Sequence, residues 1–256
     1  MENIIVLDTE TAGAIHPQLL DLGYKIIAID EQTAEYTVKV ARSYLNRALY
    51  NNRIFLENDN FVRPEKLAIY DRLVEEGKIT LRSLPQMLTT LANDIARFDV
   101  HAVYMYNANF DRDKIEKASA ENGIINPLAD VDIYDIWAFS TNFITNTDDF
   151  REWALENEML TATQRFISTS VETVARYLYQ NLEFKEQHTA LDDVGHEITI
   201  LCECLRRGAF LKCRYQRKSY IESGKVFTKS MVMPGGEYVE FEYQKMRTKD
   251  GTEIYQ

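Results

Sequence analysis

Residues 4–10 read Ile-Ile-Val-Leu-Asp-Thr-Glu, and no other stretch constrains the fold as strongly. A continuous apolar run with β-branched residues reads as a strand buried on both faces, near the middle of a sheet. Two carboxylates follow at once. On a strand, residues i and i+2 point to the same face, so Asp8 and Glu10 project together. Carboxylates buried that close repel each other unless a cation lies between them.

Two distant segments carry the same kind of chemistry. Residues 102–105, Ala-Val-Tyr-Met, form a short strand, after which Asn107 and Asn109 offer turn and N-cap chemistry. Asp111 then falls in the first turn of a helix whose Phe110 and Ile115 turn to the core. Further on, Thr189 is placed to cap a helix, with Asp192 as its capping-box partner. Val194, Ile198, Leu201 and Leu205 mark one apolar face of that helix, and Gly208 closes it. His188 lies on the loop just before, free to move, while Asp193 is held on the helix. Four carboxylates and one imidazole from three segments make a set suited to two-metal phosphodiester cleavage. Magnesium fits such all-oxygen ligands, and manganese can substitute.

The three motifs, Asp8-Thr9-Glu10, Asn107-Ala108-Asn109-Phe110-Asp111, and His188 with Ala190 and Asp193, occur in this order on these elements. In this the chain resembles the DEDDh family of 3′–5′ exonucleases, whose motifs run D-x-E, N-x-x-F-D and H-x-A-x-x-D. The family includes the proofreading subunit of bacterial replicative polymerase and ribonuclease T. The resemblance spans about residues 1–207, and the histidine five residues before the last acid places the chain in the histidine branch. It implies a ribonuclease H-like fold and a site of Asp8, Glu10, Asp111, His188 and Asp193, with two Mg²⁺ ions held by the four acids. By the family's pattern Asp8 bridges the ions, Glu10 and Asp193 complete the first site, and Asp111 holds the second. His188 is the general base, its ordinary pKa range suiting that task. Backbone amides near Thr11 and Ala12 meet the terminal sugar, Asn107 joins them in binding substrate, and Phe110 packs in the core or, as the alternative, near the terminal nucleotide. The implied reaction releases nucleoside 5′-monophosphates from a 3′ end, of single-stranded DNA in the first instance. RNA, oligonucleotides or free nucleotides stay open as substrates, because the motifs do not encode sugar preference. A binding or adaptor role on the same fold, alongside a polymerase or replication partner, is the competing reading; homodimerisation is also open.

The chain has 256 residues, 45% of them apolar, enough for a large core. No stretch is long and apolar enough to span a membrane, and Met1-Glu2-Asn3 begins no signal peptide, which together suggest a cytoplasmic protein. Net charge is −11, unusual for a nucleic-acid enzyme. The distribution softens it: residues 206–221 hold Arg206, Arg207, Lys212, Arg214, Arg217 and Lys218 and no acid, leaving −17 elsewhere. That stripe is either a backbone-binding surface or a solvated helix end and loop. Cys202, Cys204 and Cys213 lack a disulfide pattern. With His196 they make a poor zinc set, since the residues that share one helix face different sides. His16 and His101 read as structural or surface residues. Asp130, Asp132 and Asp135 match no ligand motif, and Asp135 reads as a helix cap.

Along the chain, residues 23–29 and 36–40 read as strands joined by a turn at Asp30, Glu31 and Gln32, making an opening meander. Helices follow at 64–77 and 83–97, the second capped by Ser83 with Leu84, Met87, Leu88, Leu91 and Ile95 on one face. Strand 102–106, helix 110–121, strand 131–134 and a helix through Ile136, Trp137 and Phe139 come next. Thr169 and Glu172 offer a capping box for a helix through Val171, Val174 and Leu178. A meander followed by alternating strands and helices predicts an α/β mixed sheet flanked by helices. We expect an exonuclease domain over 1–210 and a β-hairpin extension over 211–256, packed on the core. Hairpin signals in the extension are Ser223-Gly224, Gly235-Gly236 and Asp250-Gly251, around the alternating segments 226–232 and 238–243.

Overall fold

A computed structural model describes residues 1–13, 16–59, 62–225, 227–232, 238–243, 245–247 and 253–255, with only the backbone described beyond 225. Its centre is a six-stranded mixed sheet. The strands are β1 (Glu2–Ala12), β2 (Gln18–Ile29), β3 (Tyr36–Asn46), β4 (Thr80–Arg82), β5 (Ala102–Met105) and β6 (Asp132–Asp135), in the order β4-β3-β2-β1-β5-β6. β1, β2 and β3 form the antiparallel meander, and β5 and β6 continue it in parallel beyond β1. Helices cover both faces of this α/β sheet, as the sequence pattern predicts. Asp30 builds the β2–β3 turn by accepting from the amides of Gln32 and Thr33 at 3.0 Å.

β1 owes its central position to its apolar run. Ile4, Ile5, Val6 and Leu7 are all fully buried and alternate between two cores. Ile4 and Val6 pack with Phe139, Val194, Ile198 and Leu201 on one side. Ile5 and Leu7 pack with Met87, Leu88, Leu91 and Ile115 on the other. The first face is covered by α6 (Ile136–Phe143), α7 (Asp148–Glu156), α8 (Val171–Tyr179) and α9 (Ala190–Arg206); the second by α4 (Leu84–Arg97) and α5 (Ala108–Glu121). A third cluster, including Leu45, Leu56 and Tyr70, lies where α1 (Arg47–Asn51), α2 (Arg53–Glu57) and α3 (Pro64–Glu75) meet the β3 end.

Local capping follows the sequence in some places and departs from it in others. Ser83 and Gln86 form a full capping box at α4, and Asp135 caps α6 by accepting from Trp137 N at 3.1 Å. The cap of α8 is Ser170 and not Thr169, whose hydroxyl instead accepts from Trp137 Nε1 at 3.0 Å. Thr189 does precede α9, but its side chain makes no cap hydrogen bond, and Asp192, the expected capping-box partner, is turned toward His196 at 3.5 Å. Gly208, at φ +93°, ends that helix as expected. The helices α1, α2 and α7 have no counterpart in the sequence reading.

Beyond α9 the chain returns along the β5–β6 side of the sheet. Ala209 and Ile221 are buried, and Tyr215 meets Phe139 and Phe143 edge-on at 4.7 and 5.1 Å. Half of the basic run serves this docking, and Arg206 and Arg207 pair at the end of α9. Lys212 pairs with Glu2 at 2.6 Å, Arg214 with Asp132 at 2.8 Å, Arg217 with Asp135 at 2.6 Å, and Arg206 and Arg207 with Glu203. Asp132 and Asp135 thus serve as docking partners for the returning chain. Past 225, β7 (Phe227–Val232) pairs antiparallel with β8 (Tyr238–Tyr243), and β9 (Lys245–Arg247) with β10 (Glu253–Tyr255). The expected turns at Gly235-Gly236 and Asp250-Gly251, and Val226, lie outside the described residues.

Candidate active site

Asp8 and Glu10 continue the Ile4–Val6 face of β1, so both carboxylates leave the sheet on the side covered by α9. How closely α9 approaches is set by Gly23, the residue paired with Asp8. A Cβ there would lie 2.2 Å from Leu191 N and 2.3 Å from Ala190 C, so only glycine lets the helix start lie directly on β2. The helix is also tied down by Asp21, fully buried opposite Glu10, whose Oδ2 accepts from Ala190 N at 3.0 Å and Tyr70 OH at 3.1 Å. Burial pushes the Asp21 carboxyl up to about 7 despite these donors.

With the helix so placed, Asp193 comes over the β1 acids. Ligating atoms of Glu10, His188 and Asp193 lie within 4.8 Å of one another. Asp111 arrives from the opposite side, in the first turn of α5, its Oδ1 accepting from Thr9 N at 3.0 Å and Thr9 Oγ1 at 2.7 Å. The chain reaches α5 through Asn107, which adopts a left-handed φ of +66°, a conformation asparagine tolerates. Its amide donates to Asp135 and its Oδ1 accepts from Arg217 at 2.7 Å.

The result is a cleft of about 180 Å³ walled by Asp8, Thr9, Glu10, Tyr106, Phe110, Asp111, Val171, Glu186, Asp193 and Glu197. Four of the five sequence-derived site residues stand in this wall, and His188 stands beside it. Thr11, Ala12 and Asn107 are not among the described residues of the wall; Thr11 and Ala12 end β1, and Ala12 is buried in the third cluster. Phe110 corrects the sequence reading. It is 41% exposed at the cleft, with Lys114 Nζ 4.8 Å from its ring, because its position in the first turn of α5 faces the opening and leaves the core to Ile115. His188 is the most open member, its side chain 60% exposed on a residue with φ +54°.

Three residues of the site escaped the sequence reading. Glu197 is 1% exposed, one turn beyond Asp193 on α9, and is held by the Tyr106 amide. Glu186 has a side chain only 9% exposed, 3.7 Å from His188 Nδ1. Lys66, from α3, lies 2.6 Å from Glu10 Oε1 and brings one positive charge to the rim. Glu197 had a visible signal, an acid inside the apolar stripe of Val194, Ile198 and Leu201. Lys66 and Glu186 had none, since only the tertiary fold brings them here.

The electrostatics are those of an unneutralised acid cluster. Burial, then Asp111, Glu197, Asp193 and Glu10, hold the Asp8 carboxyl well above the usual range, although its edge still meets solvent at the cleft mouth. Burial with Glu186 and Glu10 pushes Asp193 up to about 9, and burial outweighs the Thr9 donors to bring Asp111 to about 7. Burial with Asp111 and Asp193 raises Glu197 in the same way. Among the described residues, Asp193 Oδ1, Glu186 Oε1 and Glu197 Oε2 are buried without a hydrogen-bond partner. Orphaned carboxylate oxygens converging on one cleft fit hard divalent cations, which would satisfy them and reverse the shifts.

No family model and no curated protein matches the chain. Among solved structures, the chain is similar to E. coli Exonuclease I in complex with a dA16 oligonucleotide, at 13% identity and a TM-score of 0.44. It is similar likewise to that enzyme in complex with a dT13 oligonucleotide, at 13% identity and a TM-score of 0.47. In both the match covers 79% of this chain and 40% of the other, so the chain spans less than half the length of the exonuclease. No helix among the described residues is long and apolar enough to cross a membrane.

Proposed function

We propose that the protein is a metal-dependent 3′–5′ exonuclease acting on single-stranded nucleic acid, DNA first, with RNA or short oligonucleotides as the alternative. The observation that carries this reading is the convergence of Asp8, Glu10, Asp111 and Asp193, from three distant segments, on one cleft with orphaned buried oxygens and a histidine at its edge. Asp8, Glu10, Asp111 and Asp193, which line the cleft, would hold the cations. When bound, the two cations supply Lewis-acid activation of the attacking water and charge neutralisation at the scissile phosphate.

The chain's own residues supply the rest. His188, open to solvent beside Glu10 and Asp193, accepts the proton of the attacking water. Glu186, close to His188 Nδ1, orients the ring. Thr9 fixes the rotamer of Asp111 with two donors to one oxygen. Phe110 offers an exposed ring at the cleft for a terminal base. Glu197, held by the Tyr106 amide, keeps α9 and the β5 end in register beneath the site. The ion-paired basic run favours short single strands over long duplexes, since it leaves few cations for a phosphate track. We further propose that residues 1–210 form the catalytic domain, that 211–256 are its extension, and that the protein works in the cytoplasm.

The test is polarity and product. Oligonucleotides blocked at the 3′ or at the 5′ end are incubated with Mg²⁺, and the products are separated by chromatography. The reading predicts nucleoside 5′-monophosphates from 5′-blocked strands and none from 3′-blocked ones. Cleavage of both alike, or products carrying a 3′-phosphate, would contradict it.

A further inference from the structure

Beside the catalytic cleft lies a larger cavity of about 620 Å³, walled by Glu10, Arg63, Glu65, Lys66, Ile69, Glu172, Lys185, Glu186, Gln187 and His188. Glu186 belongs to the walls of both cavities. In the larger one, ligating atoms of Glu172, Glu186 and His188 lie within 4.8 Å of one another. His188 therefore belongs to two donor sets at once, this one and the set with Glu10 and Asp193.

We propose that Glu172, Glu186 and His188 form a second cation site, separate from the four-carboxylate set, that takes a divalent transition ion of the zinc class. Three observations support it. Glu186 is nine-tenths buried, and its Oε1 has no hydrogen-bond partner, an arrangement that a bound cation would satisfy. The donors are two carboxylates and one imidazole, which zinc binds in three-ligand sites with a fourth position open to water. Magnesium prefers an all-oxygen set, so the imidazole in this set favours the borderline cation over magnesium. The site is also braced: Glu172 accepts from the Glu186 amide at 3.2 Å and pairs with Arg176 at 2.6 Å. Closing to a zinc sphere, with ligand atoms about 3.4 Å apart, asks most movement of His188, the exposed member on its loop.

One imidazole cannot serve both sets. Zinc in the second site draws His188 away from Glu10 and Asp193 and removes the base that the exonuclease reading requires. The site is thus a brake on the proposed reaction. The braking effect rests on that reading; the binding does not.

The experiment is a calorimetric titration of Zn²⁺ into the full chain, saturated beforehand with Mg²⁺. One binding event is expected. Glu172→Gln, which keeps the acceptor for the Glu186 amide but removes a ligand charge, should weaken it at least tenfold. Glu65→Gln removes a charge from the same wall without touching the triad and should leave it unchanged. In parallel, the Zn²⁺ concentration that halves Mg²⁺-driven hydrolysis should rise about as much in Glu172→Gln, with its basal rate unaltered. Thermal melts in chelator establish that the variants fold. No binding under Mg²⁺, equal weakening by both variants, or no weakening by Glu172→Gln would each overturn the site. If the protein hydrolyses nothing, the inhibition arm falls with the exonuclease reading while the calorimetry still decides the site.

Discussion

Asp8 is asked to hold a charge where burial and four neighbouring acids oppose it. That makes the metal-free site a source of instability, as functional sites often are. Asp8→Asn should abolish cation binding and hydrolysis yet raise the melting temperature of the metal-free protein by about 2–4 °C, the shift expected for about 1 kcal/mol in a domain of this size. Differential scanning calorimetry in chelator checks this, and a lower melting temperature would show that the repulsion is already relieved. The same acids set a pH dependence. Asp8, Asp111, Glu186, Asp193 and Glu197 have their folded pKa raised, so the folded chain binds protons more tightly, and stability is greatest below the unfolded carboxylate range of about 4. It is lost as the pH rises through about 7 for Asp111 and Glu186 and about 9 for Asp193. Without metal, the melting temperature should therefore fall between about pH 5 and about pH 8, and Mg²⁺ should restore more of it at the higher pH. A rise with pH in chelator would contradict the electrostatic account. At this scale the motif acids were legible because a strand's two-residue period and a helix's first turn fix where they point. Asp21 stood visibly in the apolar run Leu19-Leu20-Asp21-Leu22, but its partners on α3 and α9 depend on the tertiary fold.

Helix α9 and strand β2 form the joint on which the site depends. Their contact at Gly23 admits no side chain. Gly23→Ala should destabilise by about 1–3 kcal/mol through overpacking. It should also cut activity by more than the unfolded fraction explains, since any retreat of α9 lifts Asp193 from Asp8. Urea titration beside rate measurements on the folded protein separates the two effects; activity that merely tracks the folded fraction would show that α9 has slack. The sequence revealed this helix through its apolar stripe and closing glycine, and the β1 strand through its unbroken apolar run. It did not reveal that Asp192 turns to His196 and away from the capping box, because the two meet only once the helix has formed. Nor did it reveal α7, which the edge-on rings of Phe150, Trp153 and Tyr177 hold against α8.

For the whole molecule, the acidic balance of −11 is reconciled with nucleic-acid chemistry locally. On the proposed reading cations would neutralise the site's acids, and Lys212, Arg214 and Arg217 join the returning chain to the sheet edge. A chain ending at Gly208 should therefore lose about 3 kcal/mol or more, since it uncovers the contacts of Ala209, Tyr215 and Ile221. One ending after Lys225 keeps them, and equal melting temperatures for the two truncations would refute that role. The proposal on which everything else depends is that Asp8, Glu10, Asp111, His188 and Asp193 serve to degrade nucleic acid from its 3′ end. It is tested most directly by incubating 5′-labelled single-stranded DNA, duplex DNA and RNA with the purified protein in Mg²⁺ or Mn²⁺, beside Asp8→Ala and His188→Ala. The account predicts a metal-dependent ladder shortening from the 3′ end, absent in both variants. No cleavage of any substrate by a folded, cation-bound protein would contradict it.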